Sequence, residues 1–380
     1  MAKLSTTPVI SAKPPKVRGF FGTFFVSLLP IAIGIVIASI IQQAIASPYY
    51  EKVAIDIGVA IVLAVSLNVV NGMAGQFSLG HAAFMALGGY GAGMITYYGS
   101  LLIWGTASRH GGHLGAGEWL FVAGCLVGGI VATAAGYIVG LPSLRLKGDY
   151  LAIVTLGFGE ILRVLFQQTE AVIKSRDALR EAPLSKLWPP PVGGAIGFDG
   201  LPKYTNLFWV YAFVTVMLVV AFRLKRSSLG RAMIAIREDE FAAQAMGVNV
   251  SRIKVQAFMI AAFFAGAAGG LYAHEKGNMI SPEAAGFQLS FTYVLMTVLG
   301  GRGSITGVML AAAVLTILPE ALREFDQWRL IIYALLLITM MLLRPQGLFG
   351  IHEIWDWRPK WFGKVRGAEG MGSEGGHANV

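Results

Sequence analysis

The sequence predicts an all-α membrane protein, a polytopic helical bundle of about 8–10 transmembrane helices with broken or re-entrant segments. Three observations predict it. Of 380 residues, 55% are hydrophobic and only 13% charged, about half of the roughly 25% that a soluble domain carries. The apolar residues gather in runs close to the ~20 residues a helix needs to cross a bilayer. Glycine is abundant, at 48 residues, as it is in membrane helices. So few charges cannot cover a soluble surface of this size.

The runs place spans, in order, at Phe24–Ala46, Ala54–Val70, Phe77–Tyr98, Trp119–Leu141 and Tyr150–Phe166, then at Leu207–Phe222, Ala257–Ala273, Leu289–Leu299, Ile305–Leu318 and Leu330–Leu343. The first follows Lys3, Lys13, Lys16 and Arg18 with no small-residue cleavage site, and reads as an uncleaved span. The pair flanking Gly300-Gly301-Arg302-Gly303-Ser304 is short for two full crossings. A re-entrant hairpin there is one reading and a cytoplasmic turn the other.

Charge sets the orientation. Arg223, Lys225, Arg226, Arg231, Arg237, Arg252 and Lys254 face only Glu238, Asp239 and Glu240 in one loop, which the positive-inside rule makes cytoplasmic. Ten spans then put the basic N-terminus, the loop with Arg145 and Lys147, and the tail with Arg344, Lys360, Lys364 and Arg366 on the same side. The expected organisation is a cytoplasmic tail at 1–23, a membrane domain at 24–350 with its main cytoplasmic loop at about 223–256, and a cytoplasmic tail at 351–380. The end of that tail, Gly-rich and polar, is expected to be disordered.

Small residues recur every fourth position at Gly124, Gly128, Ala132, Gly136 and Gly140, and again at Ala262, Gly266 and Gly270. That spacing lets backbones approach closely, either within the chain or against a second membrane subunit. Seven glycines fall between Gly72 and Gly93. Glycine weakens a helix interior, and a broken helix exposes backbone polar groups that only a cavity or protein can satisfy. Gly75, Gln76, Ser78, Gly80 and His81 are therefore candidates to line a pathway, against the plainer reading of tight packing with His81 bonded to the backbone. From Gly230 to Asn249, Ile236, Ala243 and Met246 lie among charges, as in short amphipathic surface helices ended by the Gly247-Val248-Asn249 turn. Such helices serve either as a knob for a soluble partner or as a basic loop on anionic lipid.

Four stretches carry a family resemblance: Gly75–Phe84, Lys147–Leu156, Ala235–Asp239 through Gly247, and Leu343–Gly350. Together they resemble the LivM-type permease subunit of branched-chain amino acid ABC importers. The resemblance implies an ABC-importer-permease bundle in a bacterial inner membrane. It implies a LivH-like second permease, two cytoplasmic ABC ATPases that use the ATP, and a periplasmic binding protein. It further implies that Arg231, Arg237, Glu238, Asp239, Glu240, Ala242, Ala243 and Gly247 form the ATPase-coupling loop. Phe241 stands where the usual loop pattern has Glu, and Glu240 sits one place early. The stretches 100–117 and 169–193 look longer than the family core.

No P-loop and no Cys-x-x-Cys occurs, and His274-Glu275 and His352-Glu353 each lack the second histidine of His-Glu-x-x-His, so neither catalysis nor a bound cofactor is expected of this chain; its basic residues sit in loops and tails between apolar runs, so no nucleic-acid partner is expected. Glu160 and Arg163, three apart, share a helix face and can pair. Two alternatives remain at this stage. One changes the cargo to urea or short amides. The other is a self-sufficient secondary transporter, for which Glu160 is the candidate carboxylate.

Overall fold

The computed structural model describes residues 47–112, 114–143, 149–181, 190–276 and 279–343, with 34, 36, 39, 40, 42, 183, 347, 348, 350 and 353. Most of the expected first span, the loop with Arg145 and Lys147, and the tail with Arg344, Lys360, Lys364 and Arg366 lie outside the described residues.

Helix α1 (Pro48–Asn68) begins with a proline in its first turn and runs into a π-helical turn, Val69–Met73. An extended stretch leads to α2 (His81–Trp104), which Gly105 ends in the left-handed region. Then follow α3 (Ala116–Ser143), α4 (Asp149–Gln167) and a short α5 (Arg176–Glu181). Next come α6 (Leu207–Arg226), α7 (Ser228–Glu238), α8 (Glu240–Ala245) and α9 (Val250–Lys276). The series closes with α10 (Phe287–Gly300), α11 (Ile305–Ala321) and α12 (Arg329–Leu343). Among the described residues, six segments are long and apolar enough to cross a membrane: Pro48–Met73, Ala116–Leu141, Tyr150–Gln167, Leu207–Arg226, Val250–Glu275 and Ile305–Phe325. Helix α2, of 24 residues, has comparable length but is not among them. The chain is a multi-pass membrane protein.

The centre of the bundle is a triangle of α2, α3 and α9. A Cβ placed on Gly88 would lie 2.2 Å from Cα of Gly266, and one on Gly128 would lie 2.3 Å from the Gly88 carbonyl oxygen. Both small-residue stripes are used here, within the chain: Gly124 meets α2, Gly136 and Gly140 meet α9, and Gly270 meets Cys125 on α3. The glycines at 88–93 are helical and serve packing, so the predicted disruption of Gly72–Gly93 shrinks to the seven residues between Met73 and His81.

The chain folds in on itself at the far end of α9. Gly88 meets Gly266 and Thr96 meets His274, so α2 and α9 run in parallel. Past Lys276 the chain returns to the level of Tyr90, whose hydroxyl donates to the Ile280 carbonyl at 3.0 Å. At 1.5 Å per helical residue that is a descent of about 12 Å. Strand β2 (Met279–Ile280) pairs there, antiparallel, with β1 (Phe198–Asp199) of the long connection before α6. Helix α10 is therefore only 14 residues long because it starts inside the bundle, where Ser290 Oγ accepts from the backbone N–H of Ala82. The re-entrant element is 279–286. Gly300–Ser304 is a turn at the end shared with α7.

The stretch 100–117 folds back over the opposite end. Buried Glu118 accepts from Arg109 and from Trp209 Nε1, each at 3.0 Å, and the His110 N–H donates to Tyr204.

Valine at Gly88 or Gly266 is expected to abolish recovery of folded protein in mild detergent. Alanine at Gly157, where an added Cβ meets nothing within 4 Å, should leave the yield and thermal midpoint unchanged. Size-exclusion chromatography with thermal unfolding measures both.

Candidate functional site: the coupling helices and the broken segment

Helices α7 and α8 form a bent pair at the basic end of the bundle. Ser227 caps α7, its side chain accepting from the Gly230 N–H. Gly230 is required because a Cβ there would lie 1.9 Å from the Leu224 carbonyl oxygen. Asp239 breaks the helix in extended conformation and caps α8 by accepting from the N–H groups of Phe241 and Ala242. Gly247, at φ +84°, turns the chain towards α9, as its place after the amphipathic run predicts. Ile236 and Ala243 are buried, but Met246 is 85% exposed. It thus joins Phe241, also exposed, as an apolar tip of α8 rather than part of its inner face.

The three acids of the loop are already occupied. Glu238 accepts from Arg237, Asp239 caps α8, and Glu240 Oε2 accepts from Lys254 Nζ at 2.8 Å. Arg231 donates to the Arg226 carbonyl. What α8 offers outward is Phe241, Ala242, Gln244, Ala245 and Met246, mostly apolar.

Arg237 reaches inward. Its Nη1 donates to the carbonyl oxygen of Gly72, 2.9 Å away, in the π turn that ends α1. A guanidinium is favourable there because the last carbonyls of a helix carry partial negative charge and need donors. Gly75, at φ +69°, lies against the same side chain, since a Cβ on it would be 2.8 Å from Arg237 Cγ. Helix α7 and the helix break are one contact.

Beyond Gly75 the chain re-enters the bundle. Gln76, Ser78, Gly80 and His81 are all buried. Gly80 presses on α4, where an added Cβ would lie 2.2 Å from the Thr155 carbonyl oxygen. The Leu79 N–H donates to Thr155 Oγ1 at 2.9 Å, and the Ser78 N–H to Asn71 Oδ1 at 3.2 Å. His81 Nε2 hydrogen-bonds Ser66 Oγ at 2.8 Å, and the ring also bonds the Leu63 backbone, so it points into the bundle. Both polar atoms of the Gln76 amide, the Ser78 hydroxyl and Asn71 Nδ2 are buried without a hydrogen-bond partner among the described residues. Each such group costs about 1–3 kcal/mol, so this packing is the least settled part of the bundle.

A second cluster, which sequence reasoning missed, ties the same end together. Lys225, at the end of α6, donates to the Gly303 carbonyl at 2.8 Å and to Glu353 at 2.5 Å. Glu353 caps α11, accepting from the N–H groups of Ile305 and Thr306 and from Thr306 Oγ1. The Gly303 N–H donates to Asn68 Oδ1, and Gly303 also lies against Arg237, 2.7 Å separating an added Cβ from Nη1. Lys225 read as one of seven basic loop residues and Glu353 as the start of an incomplete zinc motif, so neither carried a signal. Among the described residues no group of three His, Cys, Asp or Glu could hold a metal.

Glu160 and Arg163 do pair, at 2.7 Å.

A multi-pass bundle with a surface helix pair wired into a broken membrane helix defines a transport permease. The chain belongs to the family described as the branched-chain amino acid transport system / permease component, whose model matches residues 49–343. It is 36% identical over 304 residues to the high-affinity branched-chain amino acid transport system permease protein LivM of Salmonella typhimurium, covering 76% of this chain and 67% of the relative. Against LivM of Escherichia coli K12 the identity is 34% over 333 residues, with coverage of 82% and 74%. It is also 27% identical to Salmonella typhimurium LivH over 301 residues, covering 77% and 91%. No solved structure matches.

Burial alone would raise the Glu353 carboxyl, but hydrogen bonds from Lys225 and Thr306 and the N–H groups of Thr306 and Ile305 together hold it below its ordinary value of 4.5. A depressed carboxyl stabilises the fold fully above the unfolded value and loses that contribution as pH falls through the folded one. Glu353→Gln should therefore lower the thermal midpoint by a margin constant at neutral pH. The margin should close only below the ordinary carboxylate range, measured by thermal unfolding of both proteins across acid pH.

Proposed function

We propose that this chain is one of two membrane-spanning subunits of an ATP-driven ABC importer, and that its cargo is branched-chain amino acids. A LivH-like permease is its membrane partner. Two cytoplasmic ATPases bind and hydrolyse the ATP, and a periplasmic binding protein delivers substrate. This chain holds no cofactor and does no chemistry. Both termini face the cytoplasm of a bacterial cell, and the membrane is its inner one. Similarity to LivM and LivH alike, at 36% and 27%, supports a pair of related permeases.

The observation that carries this reading is the bond from Arg237 to the Gly72 carbonyl. In the mechanism it supports, the apolar tip of α8, Phe241 with Met246, seats in a groove of an ATPase. Asp239 holds α8 to α7, so the pair moves as a unit when the ATPases close. Arg237 passes the displacement to the π turn of α1 and the 74–80 segment. That segment rearranges at reduced cost because the Gln76 and Ser78 side chains give up no hydrogen bond in leaving their places, the bonds lost being those of the Gln76, Ser78 and Leu79 N–H groups. Glu240 is held by Lys254 of α9, and Gly247 allows the turn between them.

In vesicles holding the assembled complex, Arg237→Glu or Gly247→Val is expected to reduce ATP-dependent leucine uptake to background while membrane insertion and subunit association persist. Normal uptake by either variant would remove the coupling assignment. Copurification from mild detergent should yield a second permease and P-loop ATPases. Uptake by vesicles with this chain alone, abolished by an uncoupler, would instead establish a secondary transporter.

A further inference from the structure

The basic residues between Arg223 and Lys254 fall into two groups. Lys225, Arg237 and Lys254 are paired with Glu353, Glu238 and Glu240. Arg223, Arg226, Arg231 and Arg252 are exposed, and among the described residues none of them has a carboxylate partner.

Three of these four stand together at the corner between α6 and α7. Arg223 and Arg226 share the last turn of α6, and Arg231 of α7 donates from Nη1 to the Arg226 carbonyl at 2.8 Å. That bond uses one of the five N–H donors of its guanidinium, so the corner keeps most of its donors and all three positive charges. Like charges one turn apart repel, and an anion beside them removes that cost.

The place of the corner says which anion. Along α6, Val216, Val219, Val220, Arg223 and Arg226 follow one another at helical spacing on one face. Val216 is exposed and the other two valines are half-buried. Gly34, in the first of the expected spans, packs against Thr215 and leaves Val216 open. Because α6 is long and apolar enough to cross the membrane, this outward strip meets acyl chains, and the arginines end it at the height of the headgroups. A free anion would use the guanidiniums alone; a phospholipid uses the guanidiniums and the strip together. The apolar tip offered to a soluble partner is on α8, past the Asp239 bend, while the corner lies at the other end of α7, about 15 Å away.

The residue type narrows the headgroup. A guanidinium stays charged at any physiological pH and grips phosphate oxygens two at a time. Phosphatidylethanolamine carries an ammonium of its own, which three guanidiniums repel. Phosphatidylglycerol carries a phosphodiester and no cation.

We infer that the α6–α7 corner is a binding site for an anionic phospholipid, its phosphodiester held by Arg223, Arg226 and Arg231 and an acyl chain laid along Val216, Val219 and Val220. Such a lipid anchors the start of α7, whose other end carries Arg237, to the membrane surface. The inference is independent of the importer reading and of the cargo.

The test is native mass spectrometry of the full chain, in the complex with which it purifies, titrated with phosphatidylglycerol or phosphatidylethanolamine. The unsubstituted protein is expected to retain severalfold more phosphatidylglycerol. Arg223→Gln with Arg226→Gln should lower that retention to the phosphatidylethanolamine level. Arg252→Gln with Arg302→Gln, which removes the same charge from exposed positions at the same end, should leave it unchanged, and millimolar inorganic phosphate should not displace the lipid. A second readout needs no substitution: photoactivatable phosphatidylglycerol, cross-linked to the unsubstituted complex, should label peptides within Val216–Arg231. Equal retention of the two lipids, an equal loss in both variants, or displacement by phosphate would overturn the site. So would the absence of label from that segment, which would show a partner subunit covering the corner.

Discussion

The bundle depends on the near contact of three backbones, α2, α3 and α9, at Gly88, Gly128 and Gly266. In lipid, helices gain nothing by hiding apolar surface from water, so they associate by close packing, and only glycine allows axes this near. The consequences extend along the chain. Because α2 is held at Gly88 and Gly89, its start at His81 falls deep in the bundle, where Ser66, Thr155 and Ser290 bond the His81 ring and the N–H groups of Leu79 and Ala82. Because α9 is held beside it, the chain past Lys276 has room to descend, and α10 starts at the level of Ala82.

Two half-depth helix starts, α2 and α10, thus meet inside the molecule, and the turns at Gly72–Gly75 and Gly300–Ser304, at the basic end of the bundle, both converge on α7. Arg237 touches the Gly72–Gly75 turn and lies against Gly303. Lys225 holds Gly303 from the other side, and Glu353 holds both Lys225 and the start of α11. A push on α7 therefore reaches α1, α2, α10 and α11 together. Charged hydrogen bonds make these joints, each worth about 1.5–3 kcal/mol, while the segment they act on retains unpaired polar atoms. Stiff joints beside a weakly held segment suit an alternating gate.

Much of this was legible in the sequence, for definable reasons. Helix length and apolar content announced the spans, and the Gly230–Asn249 pattern announced short helices ended at Gly247, because turns are local chemistry, while the cap at Asp239 was not read. The small-residue stripes announced close packing but not its partner. What stayed hidden was long-range. Glu353 and Lys225 are 128 residues apart, and neither has a local pattern that marks a cap for a helix starting at Ile305. The shortness of α10 was visible, yet it left a hairpin and a plain turn at Gly300–Ser304 equally open, since a sequence shows that a run is short without showing which end is buried. His81 stood out as a polar group beside a break, and only the fold reveals that Ser66 already holds it.

The central claim is that α7 and the broken segment move as one body. Spin labels at Ala235 and Phe77, with a third at Ile138 on α3, would report it in the assembled complex by pairwise distance measurement with and without bound nucleotide. If Arg237 joins them, the Ala235–Phe77 distance stays fixed while both distances to Ile138 change. A changing Ala235–Phe77 distance with Phe77 fixed relative to Ile138 would contradict it, leaving α7 a docking element without purchase on the gate.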